Sequence, residues 1–128
     1  MPLTKSQRPK LKFHHHAYLF VRDALSEAQE KYGRDQQNEK AGHISPRELL
    51  DGVRSLGQRR YGMMATTVFR FWGVSSTADI GRIVFEMIEL GDMKKTDNDQ
   101  FDDFVDVFSF EEAFSNEYAV DVSKAFQA

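Results

Sequence analysis

Three consecutive histidines, His14, His15 and His16, stand in the stretch KFHHHAYLFVRDAL of this 128-residue chain, and the chemistry they suggest is metal ligation. Adjacent positions on a helix lie about 100° apart, so three in a row are expected to fan around the axis and not converge on one ion. A helical metal pair needs a spacing such as i, i+4, as in HExxH, and that motif is absent. The chain also has no cysteine, which removes thiolate ligands, disulfides and cysteine nucleophiles together. On a helix centred on Ala17, His14 flanks the core, His15 faces solvent and His16 sits at the opposite border. His43 joins them only if the loop between folds back. Three histidines inside an amphipathic pattern also make a poor purification tag. The expectation is no metal and no cofactor.

The acidic run DNDQFDDFVD is the second candidate. Aligned from Asp97, a calcium-binding EF-hand loop requires an oxygen ligand at 101, glycine at 102 and glutamate at 108, where this chain has Phe101, Asp102 and Phe108. A solvated acidic turn is the expected reading, with a looser site from Asp97, Asp99 and Asp103 as the alternative. No GxSxG, GxxxxGK[ST] or GxGxxG motif occurs, and no nucleophile has an evident base beside it. Glu111 and Glu112 are sequence neighbours that point different ways on a helix. The chain is therefore read as a non-enzyme. Its remaining resource is an excess of aromatic side chains. If Phe101, Phe104, Phe108, Phe110, Phe114 and Phe126 do not all fit one small core, some pack on a partner. The first five form the candidate protein interface, and Arg59, Arg60 and Arg70 offer a complementary basic patch.

Positioning these residues requires helices. Met1 to Lys12, with Lys5, Arg8, Lys10 and Lys12 and few large apolar residues, reads as a flexible basic arm. The spacing of Phe13, Ala17, Phe20, Val21, Ala24, Leu25, Ala28 and Tyr32 predicts an amphipathic helix over 14–32, stopped by Gly33. Residues 33–43 are a polar loop. In HISPRELLDGVRSLGQRRYG, Ser45 and Glu48 form a capping box, Pro46 suits the first helical position and Ile44 can staple to Leu49. That helix buries Leu49, Leu50, Val53, Leu56 and Tyr61 and ends at Gly62, with Arg47, Asp51 and Arg54 pairing along its exposed face. A third helix, MMATTVFRFW, is expected to carry Met64, Val68, Phe71 and Trp72 on one side. A fourth, capped by Ser76 or Thr77, carries Ile80, Ile83, Val84, Met87 and Ile88 and ends at Gly91. Over 96–110 helical spacing and strand-like content compete, and a short β-hairpin is the preferred reading. A last helix packs Phe110, Ala113, Phe114 and Tyr118. The fold class is mainly α: one helical domain over 13–128.

Length and composition agree with this reading. A chain of this size makes one core, and 41% hydrophobic residues with 11 Phe and 3 Pro exclude a mainly disordered polymer. No apolar run approaches the roughly 18 residues of a membrane span, and no secretory leader pattern is present, so a cytoplasmic protein is expected. The net charge of −3 conceals a division. Residues 1–62 hold 12 Lys+Arg against 7 Asp+Glu, a net of +5; residues 63–128 hold 5 against 13, a net of −8. Such polarity orients a partner or drives self-association.

The segment from helix 63–72 through the turn GVSST, helix 77–90 and GDMKKTDND resembles the helix-turn-helix and wing of winged-helix domains. That resemblance implies a recognition helix in a DNA groove, with Ser76, Thr77, Asp79, Arg82, Lys94 and Lys95 at contact positions. Electrostatics opposes the function it implies, because the recognition helix offers Arg82 against Asp79, Glu86 and Glu89, and the wing tip adds Asp97 and Asp99. The blocks AYLFVRDAL, SPRELLDGVRSLGQRRYG, WGVSSTADIGRIVFEMIELG and FDDFVDVFSFEEAF also resemble an uncharacterised family of small proteins of planctomycetes and verrucomicrobia. This resemblance implies a bacterial protein outside the familiar enzyme families and assigns no site residues. The functional expectation is a non-enzymatic interaction or regulatory module that binds a protein or itself. The alternative is a nucleic-acid- or ribosome-binding protein using Lys5, Arg8, Lys10, Lys12, Thr77, Arg82, Lys94 and Lys95.

Overall fold

The computed structural model describes residues 11–33, 44–91 and 100–114. Its elements are α1 (His15–Lys31), α2 (Pro46–Tyr61), a 3-10 turn (Gly62–Met64), α3 (Ala65–Phe71), α4 (Thr77–Glu89), a second 3-10 turn (Phe101–Phe104) and the single helical turn α5 (Phe110–Ala113). The mainly helical expectation holds, and no strand occurs among the described residues. None of the described helices is long and apolar enough to cross a membrane.

α2 begins as its sequence dictates. Ser45 Oγ accepts from the Glu48 N–H at 3.2 Å, and Glu48 Oε1 accepts from the Ser45 N–H at 3.0 Å, so two backbone donors left over at the helix start are satisfied reciprocally. Ile44 and Leu49, the two halves of the expected staple, are both buried. α2 lies against α1 at Gly52, where an added Cβ would stand 3.2 Å from the Ala24 carbonyl oxygen. Ala24 and Ala28 complete a seam of small side chains that lets the two backbones approach. α2 ends at Gly62, whose φ of +53° is open to glycine and strained for other residues.

The core is aromatic around Phe69. Its ring lies 5.2 Å from Phe20, 5.3 Å from Phe110, and 5.5 Å from both Trp72 and Phe114. Gly57 is needed beside this cluster, because a Cβ there would come within 3.1 Å of Phe69 and 3.2 Å of Phe114. On the other side, Tyr18 of α1 donates to Glu86 of α4 at 3.0 Å and accepts from the Phe13 N–H at 3.3 Å. Burial, with the Glu86 carboxylate adding to it, pushes the Tyr18 phenol up to about 12, so at neutral pH it is a hydrogen-bond donor tying α1 to α4.

Three expectations are corrected. The hairpin over 96–110 does not form in its described part: Phe101–Phe104 wind into a 3-10 turn and Phe110–Ala113 into α5. The segment's donors go to side chains in place of a neighbouring strand. Asp103 accepts from the Gln100 N–H at 3.3 Å, and Thr77 Oγ1 accepts from the Val107 N–H at 3.2 Å. Second, Ser76 occupies the N-cap position of α4 without a side-chain bond. The Asp79 carboxylate of the first turn instead holds the residue before the cap, accepting from the Ser75 N–H at 2.8 Å and the Ser75 hydroxyl at 3.1 Å. Third, the buried side of α3 is Ala65, Phe69 and Trp72, spaced i, i+4, i+7, and the predicted Met64 and Phe71 face outward.

Candidate interaction surface

α3 is held on several sides. Thr66 Oγ1 donates to the Phe110 carbonyl at 3.3 Å, Arg70 pairs with Glu111 at 2.9 Å, and the Trp72 carbonyl that follows the helix accepts from the His14 N–H at 3.0 Å. These contacts fix the helix by its Ala65, Phe69 and Trp72 face and leave the adjacent face open. Phe71 is 77% exposed, Met64 58% and Met63 56%, with Val68 half-buried at the border of this strip. Met63 and Met64 close the 3-10 turn just before α3, and Phe71 is the last residue of α3. Large apolar side chains grouped this way on a short helix are unlike the scattered exposed leucines common to soluble proteins.

The strip continues into the histidines. Phe71 lies 5.7 Å from the His14 ring. Contrary to the expected fan, the three imidazoles gather, with centroids 4.3 to 4.8 Å apart. His15 and His16 are consecutive residues of the first helical turn with rings 4.3 Å apart, and His14 joins them because it is not helical. It is the N-cap, with φ −60° and ψ 142°, and its Nδ1 accepts the His16 N–H at 3.1 Å. The 100° rule applies only to residues inside a helix, and the cap folds the first ring back over the other two. Desolvation, then the neighbouring His15 and His16, hold His14 below the ordinary histidine value of 6.5.

The aromatic residues expected to meet a partner lie elsewhere. Phe104, Phe110 and Phe114 are buried in this chain's own core. Phe101 is half-buried beside Phe85 and under Arg82, and Phe108 is half-buried beside Phe110 and under Arg54. Of the expected nucleic-acid contacts, Lys12 is exposed, Thr77 is fully buried, and Arg82 is paired with Asp79. Lys5, Arg8, Lys10, Lys94 and Lys95 lie outside the described residues, as do His43, Asp97, Asp99, Tyr118 and Phe126. Arg59 and Arg60 are paired with Glu27 and Asp23 of α1, so the expected basic patch is internally compensated. Arg54 is half-buried, with its guanidinium 5.8 Å from the centre of the Phe108 ring.

The spacing set Met64, Val68, Phe71 and Trp72 on one side, and of these only Trp72 is buried. The rival stripe Ala65, Phe69 and Trp72 was equally legible, and it wins because Phe69 fits between α1, α2 and α5. A second feature missed in the sequence is an open cleft of about 420 Å³, lined by Ser45, Pro46 and Arg47 at the start of α2 and by Asp102, Asp103, Val105, Asp106 and Val107. Comparison with protein-family models, with curated proteins and with solved structures returns no match for this chain.

Proposed function

We propose that this protein is a non-enzymatic interaction module and that its contact face is the outer side of α3, with a second copy of the same chain as its occupant. The observation that carries the reading is the exposure of Phe71 at 77% at the end of α3, with Met63 and Met64 exposed at its start. Aromatic residues and methionine are the types enriched at the centres of protein interfaces, and homodimer interfaces are the more apolar class. A two-fold contact uses the same patch on both partners. Charge complementarity supports a second copy: α3 lies near the junction between the basic residues 1–62 and the acidic residues 63–128. A chain whose sequence halves carry net charges of +5 and −8 is suited to pairing with a second copy of itself. The exposed Arg70 and Glu111 beside the strip can exchange partners across such an axis.

Sedimentation equilibrium tests this. The expected result is a concentration-dependent dimer that weakens with added salt and is lost in Phe71→Ser. A monomer at all concentrations contradicts it. Two other partners are outcomes of parallel measurements. Capture of a different protein by a photo-reactive residue at Thr67, abolished by Phe71→Ser, gives the face a heterologous occupant. Filter binding of nucleic acid that weakens steeply with salt and survives Phe71→Ser supports the nucleic-acid alternative in place of this reading.

A further inference from the structure

The gathered histidines carry an inference separate from the contact face. The nitrogen ligand atoms of His14, His15 and His16 all lie within 4.8 Å of one another. Two imidazoles bound to one tetrahedral zinc ion, each at 2.0 to 2.1 Å, hold their nitrogens about 3.3 Å apart. His15 and His16 are exposed, which gives their rings room to turn toward a shared ion. Among the described residues no ion pair joins a carboxylate to any of the three rings.

We propose that His14, His15 and His16 form an open three-imidazole site for a divalent late transition ion of the zinc and copper class, built by the N-cap conformation of His14. Imidazole is the ligand common to these ions, and three protein ligands leave the remaining position open to water or to a group on another molecule. The start of α1 is the positive pole of the helix, which opposes a cation. Ligation requires neutral imidazole, so ion binding is expected to weaken as the pH falls. Ligand bonds, not the local field, hold the ion.

The cap predicts a signature that a flexible run of histidines lacks. In the capped state Nδ1 of His14 accepts the His16 N–H, so the neutral ring carries its proton on Nε2. An ion at Nδ1 takes the lone pair that caps the helix. An ion at Nε2 requires the proton to move to Nδ1, where it can no longer accept. Either way the His16 amide loses its acceptor when the ion binds.

The test is calorimetric titration of the chelator-stripped full chain with zinc chloride and, separately, copper chloride, with amide and imidazole NMR signals followed in the zinc titration. The expected result is one ion per chain, with all three imidazoles and the His16 amide shifting together. His14→Asn, His15→Gln and His16→Gln should each weaken binding at least about tenfold. Asparagine is itself a good N-cap, so His14→Asn removes the ligand and keeps the helix start, which an unchanged circular dichroism spectrum checks. His43→Gln should leave affinity unchanged. Equal binding by a synthetic peptide of residues 11–18, an unaffected His15→Gln, loss of binding in His43→Gln, or an unmoved His16 amide would each overturn the proposal. Phe71→Ser should retain the ion, so failure of the contact face and failure of this site are read separately.

Discussion

α3 and α4 follow one another in the chain, each carries an apolar stripe at helical spacing, and the fold uses them in opposite ways. α4 is enclosed: α1 lies on one side, and Phe104 fits against Gly81 so closely that a Cβ there would stand 2.7 Å from the Phe104 side chain. Thr77, Ile80, Ile83, Val84 and Met87 are all buried. α3 buries only Ala65 and Phe69, with Trp72 at its end, and Met64 and Phe71 are left outside. A stripe therefore reports that a helix has an apolar side, while the number of neighbouring elements decides whether that side is core or surface.

The contrast is broken most directly inside α3, between two phenylalanines two residues apart. Phe69→Ala should cost about 4 kcal/mol, because it leaves a void at the meeting point of five aromatic rings, and urea unfolding measures it. A cost below about 1 kcal/mol would mean that the cluster is not the centre of the fold. Next comes the enclosed helix: Gly81→Ala forces Phe104 and its 3-10 turn away from α4 and should cost about 2 to 3 kcal/mol by the same measurement. Phe104→Ala introduced with Gly81→Ala should lose less than the two single costs added, since they share one contact. Ser45→Ala removes half of the α2 capping box, with an expected loss of about 1 kcal/mol in thermal unfolding. Phe71→Ser should change stability by less than about 0.5 kcal/mol, since the ring has little of the chain around it. A large loss would place Phe71 in the core and remove the contrast.

The smallest effect is one of pH. His14 is held below 6.5 in the folded chain, so the unfolded chain takes up the proton first as the pH falls. The stability this histidine contributes is complete above pH 6.5 and declines as the pH drops from there through the folded value. Urea midpoints compared across that interval should fall less in His14→Asn than in the parent chain.

Much of the helical layout was legible because its signals are local. Ser45, Pro46 and Glu48 determine where α2 starts within a few residues of chain, and the α1 stripe needs only its own periodicity. What was hidden depends on distant partners. The buried side of α3 is decided by α1, α2 and α5, none of which is visible from residues 63–72. The segment 100–110 has the content of a strand, yet Thr77 and Asp103 take its backbone donors. The histidine cluster was hidden for a local reason: His14 stands at the helix boundary, and its cap conformation folds its ring onto those of His15 and His16. Of the candidate contact face, the grouping of Met64 with Phe71 was readable, and its exposure was not.

The central claim is that the outer face of α3 is an interface, and sedimentation equilibrium on the full chain and on Phe71→Ser addresses it directly. The parent chain, of 14.8 kDa, should rise with concentration toward twice that mass while the variant stays at the monomer mass. A parent chain that remains at the monomer mass from micromolar to millimolar concentration, or a variant that dimerises equally well, would contradict it.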